Sequence, residues 1–193
     1  MSLLVLCGKT CSGKTTLQYH IDKFGINKIV TYTTRPMRKG EIDKVTYNFI
    51  DKDKFLELEK NGFFAETTSY TVASGDTWYY GTAKEDIEKG GCIILNPNGL
   101  KKFRDMGLDM IAFYIDVPDF ELKKRLELRG DNKKEAERRL RKDEIDFEDD
   151  IINELVDWYV ADWWSSPYDM ADKIQKVYRN MMNRRKEGNK YGE

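Results

Sequence analysis

The segment Gly8-Lys-Thr-Cys-Ser-Gly-Lys-Thr15 constrains the fold of this chain more than any other. It matches the pattern G-x-x-x-x-G-K-[ST], whose glycines let backbone N–H groups turn inward around phosphate oxygens at the start of a helix. An apolar run ends at Cys7, and the residues from Thr15 to Asp22 carry apolar side chains at helical spacing. A strand, a glycine loop and a helix in this order predict a site for nucleotide phosphates.

Within this loop, two side chains have predicted roles beyond the backbone cradle. Lys14 would reach the β- and γ-phosphates, and the hydroxyl of Thr15 would ligate a Mg²⁺ ion that bridges them. The predicted phosphate-binding residues are Gly8, Lys9, Thr10, Cys11, Ser12, Gly13, Lys14, Thr15 and Thr16.

The composition narrows the class of protein. A chain of 193 residues suits one domain, and 33 basic against 34 acidic residues give no surface suited to nucleic acid. Three scattered cysteines, at positions 7, 11 and 92, lack metal-ligand spacing and fit a reducing compartment. With no membrane-length apolar stretch and no signal peptide, we expect a cytoplasmic protein, monomeric or homodimeric, without membrane partners.

His20 is the one histidine of the chain, and it falls within the helix that follows the loop. We interpret it as an ordinary surface or half-buried helix residue. A mechanism built on a histidine base is therefore disfavoured, and chemistry carried by arginine, lysine, carboxylate and metal fits the residues better.

The order of the elements predicts an α/β fold. Strand-like runs at Leu3–Cys7, Lys28–Thr33, Cys92–Leu95 and Met110–Asp116 alternate with helical patterns such as 52–61 and 120–129, which indicates a parallel sheet wrapped by helices. Alternating patterns at 46–50 and 67–80, the second with a Ser74-Gly-Asp76 turn, predict a small mixed insert containing a hairpin.

Two segments in the last third of the chain are predicted to be helical. Residues 129 to 150 are highly charged, and most of their side chains suit a solvated helix. Ser166-Pro167 predicts the start of a closing helix with a core-facing apolar stripe, followed by a frayed tail.

A phosphate loop alone does not distinguish a kinase from a GTPase or a motor. The second signal is the stretch Thr31-Tyr-Thr-Thr-Arg-Pro-Met-Arg-Lys-Gly-Glu41. Arg35 and Arg38, stiffened by Pro36, can present planar guanidinium groups to one phosphate. On this stretch alone, a solvated basic turn is an equal alternative.

Beside the phosphate loop, however, this stretch closely resembles the "TTR.PR.GE" signature of guanylate kinases. Further landmarks follow in the family's order: Tyr47, Gly62-Phe-Phe-Ala-Glu66, Trp78-Tyr-Tyr-Gly-Thr82, Pro118 with residues 121–130, and Arg138-Arg139-Leu140. The resemblance runs from residue 3 to about residue 142, and a weaker match follows at Trp158–Asp162.

The resemblance implies a P-loop nucleoside monophosphate kinase fold, with a parallel sheet, flanking helices, a small mixed monophosphate-binding insert and a mobile lid. One domain would then divide into a core (1–32, 83–128 and 143–185), a monophosphate-binding lobe (33–82), a lid (129–142) and a frayed tail (186–193). The implied activity is transfer of the γ-phosphoryl group of ATP to GMP or dGMP, with Mg²⁺ as cofactor.

The same resemblance implies residue roles. Arg35, Arg38, Tyr47 and Tyr80 would hold the acceptor phosphate, while Thr31, Glu66 and Thr82 would read guanine. Arg129 and Arg139 would move in with the lid and, together with Lys14 and Arg38, neutralise the transferring group.

The chain also departs from the family pattern. Gly8-Lys-Thr-Cys11 replaces the usual Gly-Pro-Ser-Gly, and Leu95-Asn-Pro-Asn-Gly99 replaces "LD.D.QG", so two carboxylates become amides. We expect Asn98 to offer a carbonyl to the base in place of a carboxylate, which weakens selectivity for guanine and leaves a shifted base preference as an alternative. The hairpin between Glu66 and Tyr80 is also longer by about five residues.

A non-catalytic guanylate-kinase-like module that binds proteins is the alternative from another class. Such a module has no need of Gly13-Lys14-Thr15 or of lid arginines, and both are present. The sequence therefore favours the enzyme.

Overall fold

The computed structural model describes residues 2–38, 40–72, 74–130 and 133–188. Eight strands lie within these ranges: β1 (Leu3–Cys7), β2 (Tyr32–Thr33), β3 (Asn48–Phe49), β4 (Phe64–Thr71), β5 (Thr77–Ala83), β6 (Gly91–Ile94), β7 (Met110–Ile115) and β8 (Trp158–Val160). Eight helices lie there too: α1 (Lys14–Lys23), α2 (Lys52–Lys60), α3 (Lys84–Lys89), α4 (Pro97–Asp105), α5 (Asp119–Arg129), α6 (Lys133–Asp146), α7 (Asp149–Leu155) and α8 (Pro167–Gly188).

The core is a four-stranded parallel sheet in the order β6-β1-β7-β8. Strand β1 is buried along its whole length, as expected for a parallel strand covered by helices on both faces. Leu17, Ile21 and Ile174 of α1 and α8 pack on one face, while Phe103 and Ile152 of α4 and α7 pack on the other. The loop after β1 consequently opens at the carboxyl edge of the sheet, where parallel α/β folds bind ligands.

The second sheet is mixed and has the order β3-β2-β5-β4. Strands β4 and β5 form the predicted hairpin, in which Glu66, Thr68 and Tyr70 pair with Thr82, Tyr80 and Trp78 respectively. Because alternate residues of a strand share one face, these three cross-strand pairs lie on the same side of the hairpin. The predicted combination of a parallel sheet, flanking helices and a mixed insert is confirmed.

One predicted core strand is wrong. The run at 28–33 does not join the core sheet as a strand; Lys28 makes a single bridge to Cys92, and Tyr32 and Thr33 belong to the second sheet. Tyr32 and Thr33 both pair with β5 at the edge of the hairpin. The hydroxyl of Thr33 also donates a hydrogen bond to the carbonyl of Tyr79. Residues 31–33 thereby link the core to the hairpin.

The closing helix begins after Ser166 as predicted, and the hydroxyl of Ser166 accepts a hydrogen bond from the backbone N–H of Asp169. Helix α8 continues to Gly188, so residues 186–188 are helical rather than frayed. Residues 189–193 of the predicted tail, and residues 131 and 132 of the predicted lid, lie outside the described residues. No helix of the described ranges is long and apolar enough to cross a membrane.

Candidate active site

The two glycines of the phosphate loop are each required by the local backbone. A Cβ on Gly8 would lie 2.8 Å from the hydroxyl of Ser12 and 2.9 Å from the carbonyl oxygen of Ile115, so the loop approaches β7 too closely for a side chain. Gly13 has a φ of 96°, in the left-handed region that favours glycine. Cys11 adopts a φ of 63° without that freedom. The loop is therefore a tightly specified turn leading into α1.

Lys14 folds back over this loop. Its amine donates to the carbonyl oxygens of Gly8 and Lys9, at 2.7 and 2.8 Å, and to the hydroxyl of Ser12 at 3.2 Å. Burial lowers the pKa of Lys14. The ammonium group is thus held at the centre of the loop, where incoming phosphate oxygens would replace its present acceptors.

A cavity of about 300 Å³ opens on one side of the loop, between the second sheet and α6. We call it the acceptor cavity. Its lining brings together nearly all the residues predicted for the acceptor and for the transfer step, together with part of the loop: Gly8, Thr10, Cys11, Lys14, Thr15, Thr31, Arg35, Arg38, Tyr47, Glu66, Tyr80, Thr82, Arg129 and Arg139.

Arginines concentrate positive charge in the acceptor cavity. Burial lowers the pKa of Arg38, and the neighbouring charges of Arg139, Arg35 and Arg129 lower it further. Mutual repulsion of this kind is relieved by a bound anion, which is what a phosphate would supply. The cavity is therefore electrostatically suited to a polyanionic ligand.

The guanidinium group of Arg35 is paired with a carboxylate of its own turn. Arg35 is 4% exposed and makes a two-pronged contact with Glu41, at 2.7 and 2.5 Å. The backbone N–H of Arg38 donates to the same carboxylate at 2.7 Å. Burial alone would raise the pKa of Glu41, but these hydrogen bonds outweigh it and leave the pKa lowered. Glu41, whose role the sequence analysis missed, thus fixes the turn that carries both arginines.

The far end of the cavity carries a buried carboxylate. Glu66 is 8% exposed, and its Oε1 accepts a hydrogen bond of 3.0 Å from the hydroxyl of Thr82. Burial raises the pKa of Glu66, although Thr82 and Lys102 act in the opposite direction. Its Oε2 lies beside the start of α4, since a Cβ on Gly99 would be 3.7 Å away.

Asn96 and Tyr70 also reach the acceptor cavity, and the sequence analysis assigned a role to neither. Asn96 caps α4 by accepting from the N–H of Gly99 at 2.7 Å, and its amide donates to the phenol oxygen of Tyr70. Burial raises the pKa of Tyr70 to about 12. The alternation of Glu66, Thr68 and Tyr70 along β4 was the available signal for Tyr70.

The structure does not bring Asn98 to this cavity, contrary to the sequence prediction. Asn98 is exposed on α4 and is absent from the described residues that line the cavity. The reason is helical phase: α4 begins with Pro97, so Asn96 caps the helix at the cavity while Asn98, two positions later, turns towards solvent.

Helix α6 presents one face to the cavity, so the charged segment is not wholly solvated. Glu135 accepts hydrogen bonds from Arg138 and Arg139, the latter at 2.8 Å. Asp143, one turn further on, accepts from the backbone N–H of Thr10 at 2.6 Å. The residues of α6 that line the cavity are Arg138, Arg139, Lys142, Asp143 and Asp146.

A second cavity, of about 420 Å³, lies on the other side of the loop, and we call it the donor cavity. Arg125 closes one wall by donating to the carbonyl of Trp163 at 3.2 Å. Lys14 and Thr15 line both cavities. Cys11 and Arg129 line both cavities as well, so two ligands bound on either side of the loop would meet at these four residues. The other residues of the donor cavity are Ser12, Gly13, Thr16, Leu17, Arg125, Trp163, Ser165, Pro167 and Met170.

The described residues contain no cluster of three histidine, cysteine, aspartate or glutamate side chains that could hold a metal ion. Thr15 instead offers one hydroxyl at the point shared by the cavities. This donor set fits Mg²⁺, which usually keeps most of its waters and binds through substrate phosphates with few protein ligands. It does not fit a metal ion held in an all-protein cage.

Comparisons with known proteins agree on one family. The family model described as "Guanylate kinase" matches residues 1–156. The guanylate kinase of Bifidobacterium longum is 34% identical over 183 residues, covering 84% of this chain and 91% of that protein. The guanylate kinase of a Nostoc species is 32% identical and covers 80% of this chain and 81% of its own. The crystal structure of guanylate kinase from Anaplasma phagocytophilum shares the fold, with a TM-score of 0.64 at 23% identity over 93% of this chain and 85% of that one.

Proposed function

The chain belongs to the guanylate kinase family, and we propose that the two cavities beside its phosphate loop divide the substrates ATP and GMP between them. Phosphorylation of GMP by ATP is the activity that family membership gives this chain. The residue assignments that follow, and the division into core, monophosphate-binding lobe and lid, are our proposals.

ATP would place its phosphates on residues Gly8 to Thr16, with its nucleoside in the donor cavity. The N–H groups at the start of α1 favour anions, and the first turn of that helix holds no acidic side chain that would repel them. Lys14 would exchange its carbonyl acceptors for the β- and γ-phosphates. Magnesium, carried on those phosphates and ligated by Thr15, would supply charge neutralisation.

GMP would lie in the acceptor cavity with its phosphate towards Arg38, Tyr47 and Tyr80. The guanidinium carbon of Arg35 lies over the ring of Tyr47, 5.0 Å from the ring centroid. Arg35 would contribute charge to the site while Glu41 holds it in place. The deoxyribonucleotide dGMP presents the same base and phosphate, and we propose it as a second acceptor.

Guanine would be read at the buried end of the cavity. The ionised Glu66 can accept from the N1–H and the exocyclic amine, and Thr82 occupies only its Oε1. Thr31 lines the same cavity and offers a hydroxyl. Adenine presents an acceptor where guanine presents N1–H, so it would face the carboxylate unfavourably.

Transfer would then depend on position and charge rather than on covalent chemistry. Phosphoryl transfer spreads negative charge over the moving group, and fixed cations stabilise that charge. Lys14, Arg38, Arg129 and Arg139 all line the acceptor cavity and can supply these cations. Helix α6 lies across the cavity and would exclude water, which otherwise competes as an acceptor.

The observation that carries this proposal is that Lys14 lines both cavities. We would measure ADP release, coupled to an absorbance signal, with every common ribo- and deoxyribonucleoside monophosphate as acceptor. GMP and dGMP should be the best acceptors, and Lys14→Ala should lower turnover by orders of magnitude. Lys23→Ala, at the exposed end of the same helix, should not.

Near-full turnover of Lys14→Ala at saturating ATP would refute the assignment of the loop to the donor. Faster turnover with a pyrimidine or adenine monophosphate than with GMP or dGMP would refute the assignment of Glu66 and Thr82 to guanine.

A further inference from the structure

A carboxylate of α6 occupies the phosphate loop. Asp143 accepts a hydrogen bond from the backbone N–H of Thr10 at 2.6 Å, across a sequence separation of 133 residues. The side chain of Thr10 bonds the same carboxylate, and the ammonium group of Lys14 attracts it. A loop N–H, a hydroxyl and a lysine are the groups that would otherwise receive a phosphate oxygen.

The position of Thr10 within the loop indicates which phosphate would compete with Asp143. Thr10 lines the acceptor cavity and is absent from the residues described for the donor cavity, whereas Ser12 and Gly13 line the donor cavity. The phosphate nearest Thr10 is therefore the one closest to the acceptor. Given the proposed substrates, that is the terminal phosphate of ATP.

Burial disfavours the charged form of Asp143 at this position. Burial raises the pKa of Asp143, and the hydrogen bonds from Thr10 and the charge of Lys14 only partly offset that burial. A charge that is buried and attached through one loop residue can be displaced by a ligand with more charge and more acceptor oxygens.

Helix α6 connects this contact to Arg139. Asp143 and Arg139 are four residues apart and line the same cavity, so they share one face of the helix. A shift of α6 that carries Asp143 away from Thr10 therefore moves Arg139 as well.

We propose that Asp143 is a positioning residue that latches α6 onto the phosphate loop, and that the terminal phosphate of the donor displaces it. Donor binding and the placement of Arg139 are thereby coupled. This inference rests on the proposed binding of ATP at the loop.

The test is Asp143→Asn, which keeps the shape and an acceptor oxygen but removes the charge. Calorimetric titrations with MgATP and with inorganic tripolyphosphate should both show tighter binding, by roughly tenfold, because a competing charge-assisted contact is lost. The KM for ATP should fall while the KM for GMP stays within about twofold. A residue with a purely structural role would weaken donor binding when replaced.

Glu144→Gln is the matched control. Glu144 is exposed on the same helix, next to Asp143, so it removes the same charge without touching the loop. Its affinity for tripolyphosphate should equal that of the unmodified protein. Asp143→Ala provides a second variant, which should also bind tripolyphosphate more tightly if the folded state survives by circular dichroism.

Three outcomes would overturn the latch. The first is weaker binding of MgATP by Asp143→Asn, which would make Asp143 part of the donor or metal site. The second is an equal gain in affinity from Glu144→Gln, which would reduce the effect to overall charge. The third is unchanged affinity in both Asp143 variants. If the unmodified protein fails to bind tripolyphosphate and MgATP at all, the donor site itself is misplaced, which separates failure of the proposed function from failure of the latch.

Discussion

Glu66 and Thr82 face each other across the hairpin β4–β5, and the hydroxyl of Thr82 donates to Oε1 of Glu66 at 3.0 Å. The hydroxyl orients the carboxylate and takes one of its two oxygens. Oε2 remains directed towards the start of α4, at the end of a cavity whose other end is lined by arginines. A ligand with N–H donors at one end and a phosphate at the other matches this polarity.

The first prediction follows from the raised pKa of Glu66. Guanine recognition needs the ionised form of Glu66, because the protonated carboxyl group loses acceptor capacity. The affinity for GMP should therefore fall as the pH falls through the pKa of Glu66. Because burial raises the pKa, the loss should begin above the pH near 4.3 at which an ordinary glutamate titrates. The measurement is the KM for GMP between neutral and mildly acidic pH.

Glu66→Gln provides the comparison for this pH profile. It should raise the KM for GMP by roughly ten- to a hundredfold, because a buried charge-assisted acceptor is lost. It should also flatten the acid limb. A Glu66→Gln enzyme that keeps the same acid limb would show that another group titrates there.

The second prediction concerns the pair formed by Arg35 and Glu41. Glu41→Gln leaves the buried guanidinium group without its charged partner and should lower the free energy of unfolding by about 2 kcal/mol, while raising the KM for GMP. The lowered pKa of Glu41 gives the pH dependence: its stabilisation is present above the pKa of the unfolded chain and is lost as pH falls through the lower folded-state value.

Urea unfolding at pH 7 and at pH 4 measures this effect. Glu57→Gln, which breaks an exposed pair with Lys54, should change stability by less than about 1 kcal/mol. Equal losses from the two variants would mean that Glu41 is no more than a surface partner.

The sequence predicted those parts of the site that depend on neighbours in the chain. A strand, two glycines and a helix specify the loop locally, so its position and its use of Gly8 and Gly13 followed from residues 3 to 22. The guanylate kinase motifs then placed Arg35, Arg38, Glu66 and Thr82, which the structure brings to one cavity. These residues could be singled out from the sequence because each motif is a short segment with a fixed local geometry.

Short sequence motifs could not predict contacts between distant segments of the chain. Asp143 meets Thr10 over 133 residues, and Asn96 meets Tyr70 over 26, and both pairings depend on how α6 and the hairpin pack on the core. The sequence analysis assigned Asn98 to the cavity, whereas Asn96 lines it, and this wrong assignment has a different origin. Sequence placed both amides near the end of β6, but which of them faces the cavity depends on where α4 begins.

The third prediction separates two arginines on opposite faces of α6. Arg139 lines the acceptor cavity, whereas Arg141 is exposed beside Glu137. Arg139→Ala, and likewise Arg129→Ala, should bind both substrates nearly normally and turn over slowly, because the lost charge acts on the transition state. Turnover and both KM values in steady state provide the measurement. Arg141→Ala should match the unmodified enzyme, and a loss of turnover there equal to that of Arg139→Ala would contradict the assigned face.

The final prediction uses the two asparagines that stand where guanylate kinases carry carboxylates. The sequence led us to expect Asn98 beside the base, but Asn98 is exposed and points away from the cavity. Asn98→Asp should therefore leave the KM for GMP unchanged within about twofold. Asn96 lies in the lining, so its replacement should act on the base instead.

Asn96→Asp would retain the cap of α4, because aspartate accepts from the N–H of Gly99 as well as asparagine does. It would lose the amide that donates to Tyr70, but the phenol of Tyr70 can donate to the new carboxylate in its place. The added negative charge beside Glu66 would attract the exocyclic amine of guanine, and we expect the KM for GMP to fall by roughly three- to tenfold with little change for AMP. The measurement is the initial rate of each variant with GMP and with AMP as acceptor at fixed ATP concentration. If Asn98→Asp lowers the KM for GMP and Asn96→Asp does not, the start of α4 is rotated relative to the cavity and Asn98 is the residue that reads the base.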